Sequence, residues 1–218
     1  MKRVIIYSGG PFEEVVDVEQ LPFLQEETIF IGADRGAYHL VTNGIIPNEI
    51  IGDFDSLSEA ELQVLKQKVH NITLVKAEKD ETDTHLALLA ALKYNPDEVI
   101  LTGVSGGRLD HYEAALHDLC HFQLNNPTIR FSVQNKQNSI QFLLPGTHEL
   151  QKNEHFKYIS FFPFGEMMEN VTLKGFLYNV TNEKITFGNA KFTSNELKDR
   201  TSTISFTAGI CLMIRSSD

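Results

Sequence analysis

Two carboxylates one residue apart, Asp53 and Asp55 in Gly52-Asp53-Phe54-Asp55-Ser56, are the first residues in this chain whose types and spacing point to chemistry. In extended backbone, side chains alternate with period two, so an Asp-x-Asp pair held that way projects both carboxylates in the same direction. Such a pair suits Mg²⁺, which takes one or two carboxylates and completes its shell with water and phosphate. An aspartate at a strand–helix junction also serves as a turn former or helix cap, and the pair alone leaves both readings open.

Three more turns weigh toward chemistry. They are Gly32-Ala33-Asp34-Arg35-Gly36-Ala37, Lys79-Asp80-Glu81-Thr82-Asp83, and the run from Gly103 through Gly106-Gly107-Arg108-Leu109-Asp110 to His111. All follow strand-like segments, and in a parallel sheet such strand ends open on one edge, where ligands bind. Two carboxylates about 4 Å apart repel by roughly 4 kcal/mol at an effective dielectric near 20. Gathering Asp53, Asp55, Asp80 and Asp83 in one cleft is therefore costly unless a cation neutralises them or their pKa values rise. Glycines at 103, 106 and 107 let backbone N–H groups approach phosphate oxygens at a helix start, and Arg108 offers a phosphate-binding fork. The combination describes a site for a Mg²⁺–nucleoside triphosphate, with Gly103, Gly106, Gly107 and Arg108 on the nucleotide. Duller roles compete at single positions. Asp83 and Asp110 also suit first helical turns, Asp110-x-x-Glu113 resembles a capping pair, and His117 and His121 read as a solvated helix face lacking a third ligand.

The elements that must position these turns alternate through the first half. Strands are expected at Val4–Tyr7, Thr28–Gly32, Ile50–Asp53, Ile72–Val75 and Val99–Gly103. Helices are expected after Arg35, over about Ser58–Lys68 with a Ser58-x-x-Glu61 capping box, over Thr82–Tyr94, and over Leu109–Phe122. This pattern implies a mostly parallel sheet covered on both faces. After Asn125-Asn126-Pro127 no helical period continues. Short β-branched and aromatic runs follow, at Ile129–Val133, Ser139–Leu144, Tyr158–Phe162, Val171–Leu173, Leu177–Val180, Ile185–Phe187, Thr203–Phe206 and Cys211–Ile214, and they suggest a β-sandwich. The expected fold is thus α/β, with an amino-terminal domain over residues 1–130 and a carboxy-terminal all-β, jelly-roll-like sandwich over residues 131–218. The boundary is sought between Asn125 and Gln137.

The whole composition narrows the partners. A formal net charge of −10 over 218 residues argues against nucleic acid or an anionic membrane as main partner, since both need a cationic face. It leaves a phosphorylated substrate open if a divalent cation intervenes. Cys120 and Cys211 lie far apart with no staple-like spacing, which favours a reducing compartment. The apolar run at Val4–Tyr7 is too short for a signal peptide or a bilayer span, so a soluble cytoplasmic protein is expected.

Taken in order, Gly32–Ala37, Gly52–Ser56, Asp80–Asp83, Gly106–His111 and Thr193-Ser194-Asn195-Glu196 resemble the motifs of thiamine pyrophosphokinases across essentially the whole chain. The resemblance implies transfer of the terminal pyrophosphoryl group of ATP to the thiamine hydroxyl, releasing AMP. It implies a homodimer with thiamine bound across the subunit interface. Asp53, Asp55, Asp80 and Asp83 are then implied to hold Mg²⁺ and position the hydroxyl, with Asp83 accepting or orienting its proton. By the same resemblance Arg108 and Asp110 are implied to arrange the triphosphate, with Asp34 and His111 also on the nucleotide, and Ser194 and Asn195 to line the thiamine site. Some animal members place a tryptophan on the thiamine ring, and this chain has none. Rival readings are a metal-dependent glycosyltransferase, which also uses Asp-x-Asp, a non-catalytic thiamine or nucleotide binder, and a β-sandwich interaction module.

Overall fold

The computed structural model describes residues 1–16, 27–74 and 81–218. They form two compact units, Met1–Lys136 and Gln137–Asp218.

The first unit begins with β1 (Arg3–Tyr7), a 3-10 turn (Phe12–Glu14), β2 (Thr28–Ala33), α1 (Arg35–Thr42) and β3 (Glu49–Gly52). It continues through α2 (Glu59–Lys68), β4 (Ile72–Leu74), α3 (Asp83–Leu92), β5 (Glu98–Thr102), α4 (Leu109–Asn125) and β6 (Arg130–Gln134). The described strands lie in the order β6-β5-β1-β2-β3-β4, and every adjacent pair is parallel. β1, β3 and β5 are buried along their whole length. That burial explains their near-continuous apolar sequences, because helices cover both faces of a parallel sheet. Ile5 and Tyr7 of β1 pack with Leu40 of α1 and Ile100 of β5 on one face. Period-two alternation then sends Val4 and Ile6 to the face covered by α3. The expected capping box is present, with Glu61 N–H donating to Ser58 Oγ and Ser58 N–H to the Glu61 carboxylate.

Successive strands run outward from β1 to β4, and the chain then returns to lay β5 on the other side of β1. The order reverses between β1 and β5. In open α/β sheets a crevice forms outside the carboxyl ends of the strands at such a switch point.

The second unit contains β7 (Asn138–Leu143), β8 (Gly146–Gln151), β9 (Tyr158–Pro163), β10 (Met167–Lys174), β11 (Val180–Thr186), β12 (Asn195–Glu196), β13 (Thr201–Phe206) and β14 (Cys211–Ser216). Antiparallel pairing gives the orders β12-β9-β14-β7 and β11-β10-β13-β8. Ile159, Phe161 and Met213 of the one layer share a single core with Val171, Leu173, Ile185 and Ile204 of the other, which makes the unit a sandwich.

The structure departs from the expected strands in four places. Ile129–Val133, expected among the sandwich strands, supplies β6, which pairs parallel with β5 in the first unit. The two-residue β12 answers to no expected run. The other two places are Leu177–Val180 and β8. Leu177–Val180 is a bend, and the strand starts at Val180 and runs on through Ile185. Side chains satisfy the backbone of that bend instead of a ladder: Phe176 N–H donates to Asn179 Oδ1, and Tyr178 N–H donates to Asn195 Oδ1. Strand β8 carries only Leu150 as a buried apolar residue, so it left no alternating apolar signal.

Candidate active site

A cleft of about 650 Å³ opens at the carboxyl ends of β1, β2, β3 and β5, a volume within the range of small-molecule sites. The acidic side is built by the turns after β2 and β3. One carboxylate oxygen from each of Asp34, Asp53 and Asp55 lies within 4.8 Å of the others, the one group of this kind among the described residues. The pair at 53 and 55 does not converge through extended backbone, as alternation alone suggests. Phe54 stands between them at φ 58°, in the left-handed region. Asp55 N–H donates to Asp53 Oδ1 at 3.1 Å, closing an Asx turn. Phe54 itself is buried with Ala37, Val41, Ile50 and Leu65. The core thus draws the middle side chain inward, and the two carboxylates fold to the same side around it.

Asp34 stands at φ 49°, just before α1. Its Oδ2 accepts a hydrogen bond from Ser56 Oγ at 2.7 Å, while Oδ1 is buried with no partner. Burial raises the Asp34 pKa above the usual carboxylate value, opposed by the Ser56 hydroxyl and the Arg35 main-chain N–H and reinforced by Asp83 and Asp53. A buried, unpaired carboxylate oxygen facing two more carboxylates is the environment a hard divalent cation relieves. Arg35 braces the same turn, donating Nη1–H to the Ser56 carbonyl at 2.9 Å and Nη2–H to Glu61 at 3.1 Å.

Turns after β1 and β5 build the opposite side. Gly10 N–H donates to the Gly103 carbonyl at 2.7 Å. A Cβ on Gly10 would lie 2.5 Å from that carbonyl oxygen, and one on Gly103 would lie 2.5 Å from the Ser8 carbonyl oxygen, with φ at +72°. Only glycine allows this approach of the two loops. Gly9, Gly10, Gly103, Gly107, Arg108 and His111 line the cleft beside Asp34, Asp53 and Asp83.

Arg108 is mostly exposed and held by Asp110, with Nη2 at 2.6 Å and Nε at 3.1 Å from its two oxygens. That hydrogen bonding brings the Asp110 carboxyl down to about 2. Asp110 lies inside the first turn of α4. The residue preceding that helix is Arg108, whose side chain makes no cap, so the suggested Asp110–Glu113 capping pair does not form. On α3 the cap is Thr82, whose hydroxyl accepts from His85 N–H at 3.1 Å, and Asp83 follows in the first turn, facing the cleft. His117 and His121 are exposed on α4, His117 beside Glu113. Asp80 lies outside the described residues.

Ser194 and Asn195 belong to the second unit. Ser194 is exposed and left-handed at φ 55°. Asn195 is 2% exposed, and its side-chain amide is engaged: Oδ1 accepts from Tyr178 and Glu196 N–H, and Nδ2 donates to the Tyr178 carbonyl at 2.8 Å. Tyr178, thus clamped at both backbone groups, is 66% exposed.

Sequence reasoning missed several cleft residues. Ser8, Gly9, Gly10, Pro11, Phe12, His39 and Thr84 all line it. A detectable signal existed, since Ser8-Gly9-Gly10-Pro11 also follows a strand. It carries no charged residue, and so it read as an ordinary stop.

Comparison with known proteins fits this architecture. Residues 21–131 match the thiamin pyrophosphokinase catalytic domain, and residues 147–211 match the thiamin pyrophosphokinase vitamin B1 binding domain. The curated thiamine pyrophosphokinase of Bacillus subtilis is 40% identical over 218 residues, covering all of both chains. A crystal structure of thiamine pyrophosphokinase from Bacillus subtilis superposes with a TM-score of 0.93 at 40% identity, again covering all of both chains. The thiamin pyrophosphokinase structure from Geobacillus thermodenitrificans gives 0.90 at 33% identity, over 99% of this chain and 98% of that one.

Proposed function

This chain belongs to the thiamine pyrophosphokinase family, whose activity is transfer of pyrophosphate from ATP to thiamine, and on that footing we propose how its own residues divide the work. The observation that carries the assignment is the trio Asp34, Asp53 and Asp55, converging within 4.8 Å beside a glycine-lined crevice.

The residues fit Mg²⁺. Asp34 Oδ1 is buried and unpaired, and the donor set is all carboxylate, the hard oxygen chemistry this ion prefers. Asp34, Asp53 and Asp55 would hold it, with Asp83 and Asp80 as the further carboxylates implied by the family resemblance. A divalent cation held there would supply charge neutralisation for the triphosphate. Main-chain N–H groups at Gly9 and around Gly103–Gly107 cradle phosphate oxygens, while the Gly10 N–H, bonded to the Gly103 carbonyl, holds the two loops together. Arg108, oriented by Asp110, adds positive charge at the rim. Asp83 orients the attacking hydroxyl, which displaces AMP from the β-phosphorus in line. Such a loose transition state depends on alignment and neutralisation more than on a strong base.

Thiamine is taken by the second unit, where Ser194 and the clamped ring of Tyr178 form the recognition surface and Asn195 acts by holding Tyr178. The active form is a cytoplasmic homodimer with thiamine at the subunit interface. Exposed Leu177, Tyr178 and Phe187 give the second unit apolar surface suited to such a contact. Among the described residues no helix is long and apolar enough to cross a membrane.

An assay of AMP formation from Mg-ATP, with and without thiamine, tests the reading. Thiamine-dependent AMP release supports it. Nucleotide-sugar hydrolysis without ATP, or AMP release indifferent to thiamine, rules against it.

A further inference from the structure

We propose that Phe12 and His39 form the wall against which the base of the nucleotide stacks. The inference rests on the functional reading above and assigns a part of the cleft that the carboxylates, glycines and Arg108 leave without a role. Phe12 lines the cleft, is 48% exposed, and meets His39 edge to face with ring centroids 5.3 Å apart. The two rings come from different elements, the 3-10 turn after β1 and the second turn of α1.

A half-exposed phenylalanine in a loose loop would mean little, but this one is held. Ahead of it, Gly10 N–H is bonded to the Gly103 carbonyl. Behind it, Lys136 N–H donates to the Glu14 carbonyl and Val16 N–H to Thr102 Oγ1. The turn is closed by Glu14 N–H on the Pro11 carbonyl and Val15 N–H on the Phe12 carbonyl. Its main chain is thus fixed at both ends, and the aromatic face is presented to the cleft at little further ordering cost.

Chemistry selects the ligand. Phosphates are served by the N–H groups and Arg108, and neither ring of the wall favours an anion. A flat aromatic heterocycle matches a preset aromatic surface, and every nucleobase offers a π face. Burial, aided by the Arg35 charge, pushes the His39 imidazole below its usual value, which favours the uncharged ring. Thiamine also has aromatic rings, but the vitamin B1 binding domain matches residues 147–211, in the other unit. The nucleotide base is the occupant that the placement favours.

Calorimetry on the full chain with two probes, each with Mg²⁺, separates the contributions: the α,β-methylene analogue of ATP, and inorganic tripolyphosphate, which has no base. Phe12→Ala is expected to weaken the analogue about tenfold, within the range of base–aromatic stacking, and to leave tripolyphosphate binding unchanged. Phe12→Tyr, which keeps the π face, is expected to retain the analogue. Unaltered analogue binding by Phe12→Ala overturns the proposal, as does an equal loss of both probes, which would assign Phe12 to loop integrity. Failure of the unmodified protein to bind either probe overturns the nucleotide reading of the cleft and takes the wall down with it.

Discussion

The main-chain N–H of Asp55 and the Oδ1 of Asp53 lie 3.1 Å apart, and this one hydrogen bond turns the Asp-x-Asp pair back on itself. One carboxylate oxygen of Asp53 lies within 4.8 Å of one from Asp34 and one from Asp55. The left-handed Phe54 that makes the turn possible is anchored by core packing. The acidic site is therefore positioned by hydrophobic burial one residue from the chemistry.

If those carboxylates hold the cation, Asp53→Asn and Asp55→Asn should each lower kcat on the order of 10²-fold or more, comparable to removing one preorganised electrostatic stabiliser. Asp34→Asn should raise the Mg²⁺ concentration needed for half-maximal activity. Steady-state rates across a Mg²⁺ titration check all three, and near-normal turnover in a folded Asp55→Asn protein would remove the metal role.

The loop contact between Gly10 and Gly103 makes a different demand. Gly10→Ala places a Cβ against fixed backbone rather than a flexible side-chain tip, so the β1 and β5 loops must separate. Overpacking of this kind costs roughly 1–3 kcal/mol. Denaturant unfolding measures that loss, and an ATP KM that rises while thiamine KM holds would localise it to the phosphate side.

Asn195 and Tyr178 should separate stability from binding. Asn195→Ala leaves the Tyr178 N–H and carbonyl without their partner and is expected to cost roughly 1–3 kcal/mol. Tyr178→Ala removes an exposed ring and should change stability by no more than about 0.5 kcal/mol. Both should raise thiamine KM. A Tyr178→Ala enzyme with unchanged thiamine KM would show that the ring faces no substrate.

His39 supplies a pH signature. Burial, then the Arg35 charge, lowers its folded-state pKa below the usual 6.5. The unfolded chain therefore binds more protons near and below that value, and stability falls as pH drops through it toward the folded pKa. His39→Gln should flatten the acid limb of a Tm-against-pH curve over that window. An unchanged acid limb would show that the imidazole is not desolvated.

Much of this was legible in the residue order. Continuous apolar runs at Val4–Tyr7 and Val99–Leu101 announced strands buried on both faces, and Ser58-x-x-Glu61 announced a capped helix, because those signals are local. The turn at Leu177-Tyr178 was not legible, since its apolar character suits a strand equally well. What makes it a bend is an amide 17 residues away. The Ser8–Phe12 loop escaped for a related reason: without charge, its role shows only where β5 returns beside β1.

By itself the sequence determined which residue types could hold a cation and phosphate, and which strand ends carry them, because periodicity and turn chemistry act between near neighbours. The tertiary structure alone decided that Asp34 joins Asp53 and Asp55 with one oxygen buried and unpaired, and that Phe12 meets His39. Those relations depend on strand order and on the burial of Phe54, and both are set by long-range packing that no local pattern encodes.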